Sequence, residues 1–244
     1  MPVDLESAEI AAYVDAMGAS PEVCEVAVIG GATCLALRAI DSRMFNRVVG
    51  LASTEPLDEI AAFYGGRSWW VSDSFGLGPA LEERGFVRDY GWMKFSRGIG
   101  PRKARSDLHV VQVDAAAADD FARVIVGAYG LPESTKPLAA NVVGRPRWSC
   151  FVAYDGDAPA GAGAVFVDGA TGWLGMAGTL PAFRSRGAQS VILAARIEAA
   201  RVQGCTTVVT ETGELEQGRP SASYRNILRA GFREAGIRPN YRAP

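Results

Sequence analysis

Thr179-Leu180-Pro181-Ala182-Phe183-Arg184-Ser185-Arg186-Gly187-Ala188-Gln189 joins a strand-like run to a long helical one. Trp173 to Leu180 has the composition of a β-strand, and Pro181 cannot continue it. From Gly187 to Gln203 the chain is rich in Ala, Leu, Ile and Arg and has good helix propensity. The first turn of a helix leaves amide N–H groups unpaired and carries partial positive charge. Gly187 lets the backbone approach a ligand closely, Ala188 adds little bulk, and Arg184 and Arg186 bring full charge to the same spot. These features predict an anion site suited to a pyrophosphate.

Downstream, Gly204 ends the helix and Cys205 to Thr210 is a β-branched strand, so strand, helix and strand in series predict a parallel pair. A last helix starts near Ser221 or Ser223 and stops at Ala230-Gly231, before a strand-like segment from Phe232 to Tyr241. Upstream, Leu108 to Val113 reads as a strand and Ala115 to Ala128 as a helix capped by Asp114. Trp148 to Tyr154 and Gly161 to Val167 form a hairpin, turned by Asp155-Gly156-Asp157-Ala158-Pro159. Asp155-Gly156-Asp157 also fits the metal-binding Asp-x-Asp of a sugar-nucleotide transferase, but an Asp-Gly hairpin turn is the simpler account, and no metal is assigned.

Lys94 to Asp107 is a polar stretch with Gly, Pro and five basic residues between apolar patterns. It divides the chain into residues 1–104 and 105–244. The first part echoes the second: Leu81-Glu82-Glu83-Arg84-Gly85-Phe86 precedes the aromatic strand Tyr90 to Phe95, as Leu228-Arg229-Ala230-Gly231-Phe232 precedes the last segment. The first part has no Arg-x-x-Gly nest at a helix start. Trp69, Trp70 and Trp92 there either line an acceptor cleft or pack in the core.

The bulk properties exclude several classes. With 48% hydrophobic and 21% charged residues the chain has enough apolar material for one large or two small cores. No apolar run reaches the roughly 18 residues of a membrane span, and Asp4, Glu6 and Glu9 stand where a signal peptide would be basic; a cytoplasmic protein is expected. A net charge of −2 argues against a general nucleic-acid binder, although ten arginines against five glutamates from Arg184 onward make that end basic. Four scattered cysteines and one histidine make neither a zinc cluster nor a hydrolase triad. There is no Walker loop, and Gly161-Ala162-Gly163 continues as Ala164-Val165-Phe166, which breaks a dinucleotide fingerprint.

The loop and its flanks resemble the GCN5-related N-acetyltransferases, the GNAT superfamily, whose signature is Arg/Gln-x-x-Gly-x-Gly/Ala after a strand and Pro-x-x. Arg184 to Ala188 match it, with Gln189 at the last small position. The resemblance spans roughly residues 108 to 244 and implies an α/β fold of two GNAT-like mixed-sheet domains in tandem: a degenerate copy over 1–104, and over 105–244 the domain that carries the acyl-CoA site. It further implies a splayed sheet with acetyl-CoA, as co-substrate, between the strand ending at Thr179 and strand 205–210. Ala177, Gly178 and Thr179 would offer backbone groups to the pantetheine arm, and Arg184, Ser185, Arg186, Gly187, Ala188 and Gln189 would grip the pyrophosphate. Asn226 would meet the cofactor arm or solvent. The family's acid, a tyrosine, falls at Ile227. Tyr224, one turn earlier, either takes that role or packs beside Phe232. Glu211, following strand 205–210, is the candidate general base or else a solvated carboxylate. The acceptor would be an amine on a small molecule or a protein. Ile227 and Gln189 motivate the alternative of a catalytically silent acyl-CoA-binding regulatory module.

Overall fold

The computed structural model describes residues 5–244; Asp4, one of the acidic residues noted near the start, lies outside them. The first half runs α1 (Ser7–Gly18), β1 (Cys24–Ile29), β2 (Ala32–Leu37), β3 (Arg47–Val49), α2 (Leu57–Tyr64), β4 (Trp70–Ser72), α3 (Gly78–Glu83) and β5 (Val87–Gly98). The second runs β6 (His109–Val113), α4 (Ala118–Tyr129), α5 (Lys136–Ala140), β7 (Trp148–Asp155), β8 (Ala158–Asp168), β9 (Thr171–Thr179), α6 (Ala188–Val202), β10 (Thr207–Gly213), α7 (Ala222–Arg229) and β11 (Arg233–Arg242). The helix expected from Ala115 opens with a 3-10 turn, and Asp114 caps it by accepting from the Ala116 N–H at 3.0 Å. Among the described residues no helix is long and apolar enough to cross a membrane.

All strands join one mixed sheet in the order β1-β2-β3-β4-β11-β5-β10-β9-β8-β7-β6. The halves exchange their closing strands: β5 pairs antiparallel with β10 and β11, and β11 pairs antiparallel with β4. Around that centre the two sides repeat one plan. β3 runs parallel to β4 through α2, and β9 runs parallel to β10 through α6. The Gly-Phe echo is also structural. Gly85 (φ 84°) and Gly231 (φ 82°) turn the chain out of α3 and α7, and Phe86 and Phe232 donate their N–H to Leu81 and Ile227 at 3.0 and 3.4 Å. Both phenylalanines are buried, which fixes where each exchanged strand departs.

Apolar side chains cover both faces of the central sheet. α1 and α4 pack Tyr13, Ala16, Phe121 and Ile125 against Ala162, Ala164, Trp173 and Val209 on one face. On the other, Leu193, Ile197, Tyr224 and Ile227 of α6 and α7 meet Phe95, Leu174 and Val208. Burying one such large apolar side chain contributes about 1.5–3 kcal/mol. Because α1 belongs to the first half yet lies on β8 and β9, it draws Asp15 to Arg145 (2.9 and 3.0 Å) and to the Trp148 indole N–H (2.8 Å). The three tryptophans of the first half separate in role. Trp69 stacks on Tyr64 in the core, Trp70 donates to Asp89 at 2.7 Å, and Trp92 borders the central cleft.

Candidate active site

β9 and β10 pair only over Thr171–Trp173 and Thr207–Val209, and then part. Just beyond Trp173, β9 bulges: Ala164 faces Gly175 but Ala162 faces Gly178, and Met176 takes φ 43°. A bulge bends its strand, and here β9 leaves β10 beside it. The opening is a cleft of about 720 Å³ that reaches from the loop at 184–189 to the seam between the halves.

At the outer end the loop has the geometry of an anion nest. Ser185 and Gly187 both have positive φ, 65° and 84°, and helical bonding begins where Ser190 and Val191 N–H meet the Gly187 carbonyl at 2.9 and 3.1 Å. The amides ahead of them are the unpaired donors of a helix start. A Cβ on Gly187 would sit 3.2 Å from the Arg105 carbonyl, because the segment joining the halves packs on the loop, where the Ser106 hydroxyl donates to the Arg186 carbonyl at 2.6 Å. The two arginines differ. Arg186 forms a two-point ion pair with Asp155 of the hairpin turn, 2.6 and 2.9 Å, whereas Arg184 is exposed at the cleft and has no ion pair among the described residues. Gln189 turns its side chain to α7, donating to Ser223 at 3.0 Å and accepting from Asn226 at 2.7 Å, so its bulk stays clear of the nest. Along β9, Gly178 and Thr179 pair with β8, and the Ala177 carbonyl accepts from the Tyr129 hydroxyl at 2.9 Å. The end of α4 lies so close that a Cβ on Gly178 would meet Ala128 at 2.4 Å.

At the inner end Thr210 donates to the Leu174 carbonyl at 2.7 Å where the strands part. Glu211 lies within β10, which runs to Gly213, rather than after a strand ending at residue 210. It is the one carboxylate among the described residues that line the cleft. Behind it stands a buried charge cluster: Glu211 pairs with Lys94, with Arg238 at 3.3 Å and with Arg47 at 3.9 Å, and those three cations share Glu9. Tyr13, Met44, Trp92 and Trp173 complete this end, which is therefore built from both halves.

Tyr224 stands apart from these groups. It is buried, packs edge-on against Phe95 at 4.9 Å and donates its hydroxyl to Glu234 at 2.6 Å; burial and that carboxylate push its pKa up to about 12. Ile227, not Tyr224, lines the cleft, as does Asn226. The sequence reading missed Tyr13, Tyr129 and Arg196, all of which line it. Arg196 had a legible signal, because it interrupts the apolar stripe of Ala188, Ile192 and Ala200 on α6. Nothing local marks Tyr13, which reaches the cleft only because α1 crosses to the second half. Among the described residues no three His, Cys, Asp or Glu side chains gather as a metal site.

Residues 118–219 match the model of the Acetyltransferase (GNAT) family. None of the curated proteins matches the chain. Among solved structures the fold is similar to a GCN5-related N-acetyltransferase from Kribbella flavida, 16% identical over 99% of this chain and 97% of that one, with a TM-score of 0.65. It is also similar to a GCN5-related N-acetyltransferase from Sphaerobacter thermophilus (14% identity, 96% and 89% coverage, TM-score 0.66). A tandem GNAT protein from the clavulanic acid biosynthesis pathway matches along 100% of this chain and 97% of its own, at 15% identity and a TM-score of 0.56.

Proposed function

We propose, from the match of residues 118–219 to the GNAT family model and the likeness of the whole chain's fold to a tandem GNAT protein, that this protein is a cytoplasmic N-acetyltransferase that moves the acetyl group of acetyl-CoA to an amine on a small molecule or a protein. The observation that carries the reading is the cleft between the parted strands β9 and β10, closed at one end by a cationic helix-start loop and at the other by a carboxylate. The loop suits the pyrophosphate, with Arg184 supplying charge and the amides of Ser185 to Gln189 supplying donors. Ala177, Gly178 and Thr179 border the arm's path, and Asn226 braces Gln189 beside it. Glu211 is the group suited to take the proton that the amine sheds. Four buried free cysteines suit a reducing compartment.

In this reading residues 105–244 carry the cofactor, and residues 1–104 are a degenerate copy that has kept its strands but not its anion site. The helix equivalent to α6 in the first half is α2, whose first turn holds Asp58 and Glu59, which repel an anion. Calorimetry with acetyl-CoA, followed by thiol release across a panel of amines, tests the proposal. Absence of binding would sink it. Binding without thiol release from any amine would favour the silent acyl-CoA-binding module.

A further inference from the structure

The cleft contains one buried cation that no carboxylate balances. Arg196 is 3% exposed on α6 and forms no ion pair among the described residues. Its Nη1 donates to the Ala164 and Gly175 carbonyls, both at 3.3 Å, and its Nε has no partner. Those two contacts are long for charged donors, which favour about 2.7–2.9 Å. Pinning the bulge needs only a neutral donor, so it does not account for the charge. A buried charge without a counter-charge is disfavoured, and burial here lowers the Arg196 pKa to about 10, with Tyr129 of α4 the one group that opposes the shift. An anion arriving in the cleft would relieve that penalty.

The position of Arg196 says which anion. It lies eight residues beyond Ala188 on α6, about 12 Å from the nest, and it touches Gly175, about 13 Å along β9 from Thr179. An arm that starts at the nest and follows β9 brings its thioester to this point, on the acyl-CoA reading given above. The usual proton donor has no counterpart here: Ile227 is apolar, and the Tyr224 hydroxyl is bound to Glu234.

We infer that Arg196 is a further catalytic residue, the cation that receives the negative charge of the reacting thioester in place of a proton donor. The amine lone pair forms the N–C bond while the carbonyl π pair moves onto oxygen. When that oxyanion collapses, the C–S bond breaks and its electron pair leaves on the CoA sulfur. The amine's proton passes to Glu211 and on to solvent, and CoA departs as a thiolate held by the guanidinium, taking its own proton from water after release. Charge and atoms balance without an enzyme acid.

The test needs no acceptor. CoA is bound to the full chain, and its thiolate absorbance is followed against pH, with sulfur-free desulfo-CoA as the blank at each pH. An opposite charge within about 4–6 Å lowers an acid's pKa by about 1–3 pH units, so bound CoA should ionise that much below free CoA. Arg196→Lys should keep most of the effect, and Arg196→Met should abolish it while calorimetry still records CoA binding. Bound CoA that titrates like free CoA in the wild type would overturn the inference, as would a lowered value that survives Arg196→Met. Should Arg196→Met not fold, the wild-type and Arg196→Lys titrations decide alone. A wild type that binds no CoA at all would instead bring down the acyl-CoA reading, and this inference with it.

Discussion

Arg238 donates two hydrogen bonds, of 3.1 and 2.8 Å, to the carboxylate of Glu9, 229 residues away, inside the seam between the two halves. Lys94 and Arg47 crowd the same carboxylate, so one glutamate of α1 serves cations from β3, β5 and β11. Removing it leaves three buried charges short of a partner. Breaking such a cluster costs about 3–5 kcal/mol, so urea unfolding of Glu9→Ala should reveal a loss of that order. Burial pushes the Glu9 carboxyl up, but Arg238, Lys94 and Arg47 outweigh it and hold it well below the ordinary value. Its contribution is therefore complete above the unfolded value of about 4.3 and is lost as pH falls through the lower folded one. The stability gap between wild type and Glu9→Gln should be level near neutrality and close only in strong acid; a gap that closes between about pH 6 and 8 would refute the assignment.

The two arginines of the loop should contribute unequally to CoA affinity. Arg184 has its charge free for a ligand, and losing one charge-assisted bond is worth about 1.5–3 kcal/mol, or roughly ten- to a hundredfold in affinity. Arg186 is already engaged by Asp155. Calorimetry should give a large loss for Arg184→Ala and a smaller one for Arg186→Ala; the reverse order would show that the Asp155 pair yields to the ligand.

One CoA per chain is expected. The acidic first turn of α2 and the absence of an arginine between β3 and α2 leave the first half without an anion nest. A calorimetric stoichiometry of two would contradict this.

Glu211→Gln and Tyr224→Phe should part company in turnover. The first removes the cleft's carboxylate while preserving size, and general-base assistance is typically worth about 10²–10⁴ in rate; CoA affinity should hold. The second removes a hydroxyl bound to Glu234, a change of about 1 kcal/mol in stability, and should leave the rate near wild type. Thiol release read once an amine acceptor is found checks both, and a large rate loss in Tyr224→Phe would restore the tyrosine as the acid.

Much of this arrangement is local and was open to inspection in the sequence. Asp114 and Ser221 cap helices, Asp155-Gly156 turns a hairpin, and Gly187 opens α6, because each is set by a few neighbouring residues. What the sequence hid is non-local. A period of two along β5 says which side chains share a face but not that the strand's partners lie more than a hundred residues away, so Lys94 gave no sign of meeting Glu211. Tyr224 and Ile227 lie three apart on one helical face, and the period of α7 could not say which of them meets the cleft. Only the exchanged sheet separates them, by setting Phe95 against the tyrosine.

The exchange of β5 and β11 also governs how the chain is made. Both edges of β5 are satisfied only by strands that end at Gly213 and Arg242. On a ribosome moving at about 5–20 residues per second, β5 waits roughly 7–30 s for them. During that interval the nascent chain carries a twelve-residue strand with two open edges, the kind of surface that pairs with whatever is nearby. Its Arg88, Lys94 and Arg97 are like charges that disfavour the pairing of two nascent copies, and two of them, Arg88 and Lys94, go on to pair with glutamates once the sheet is complete.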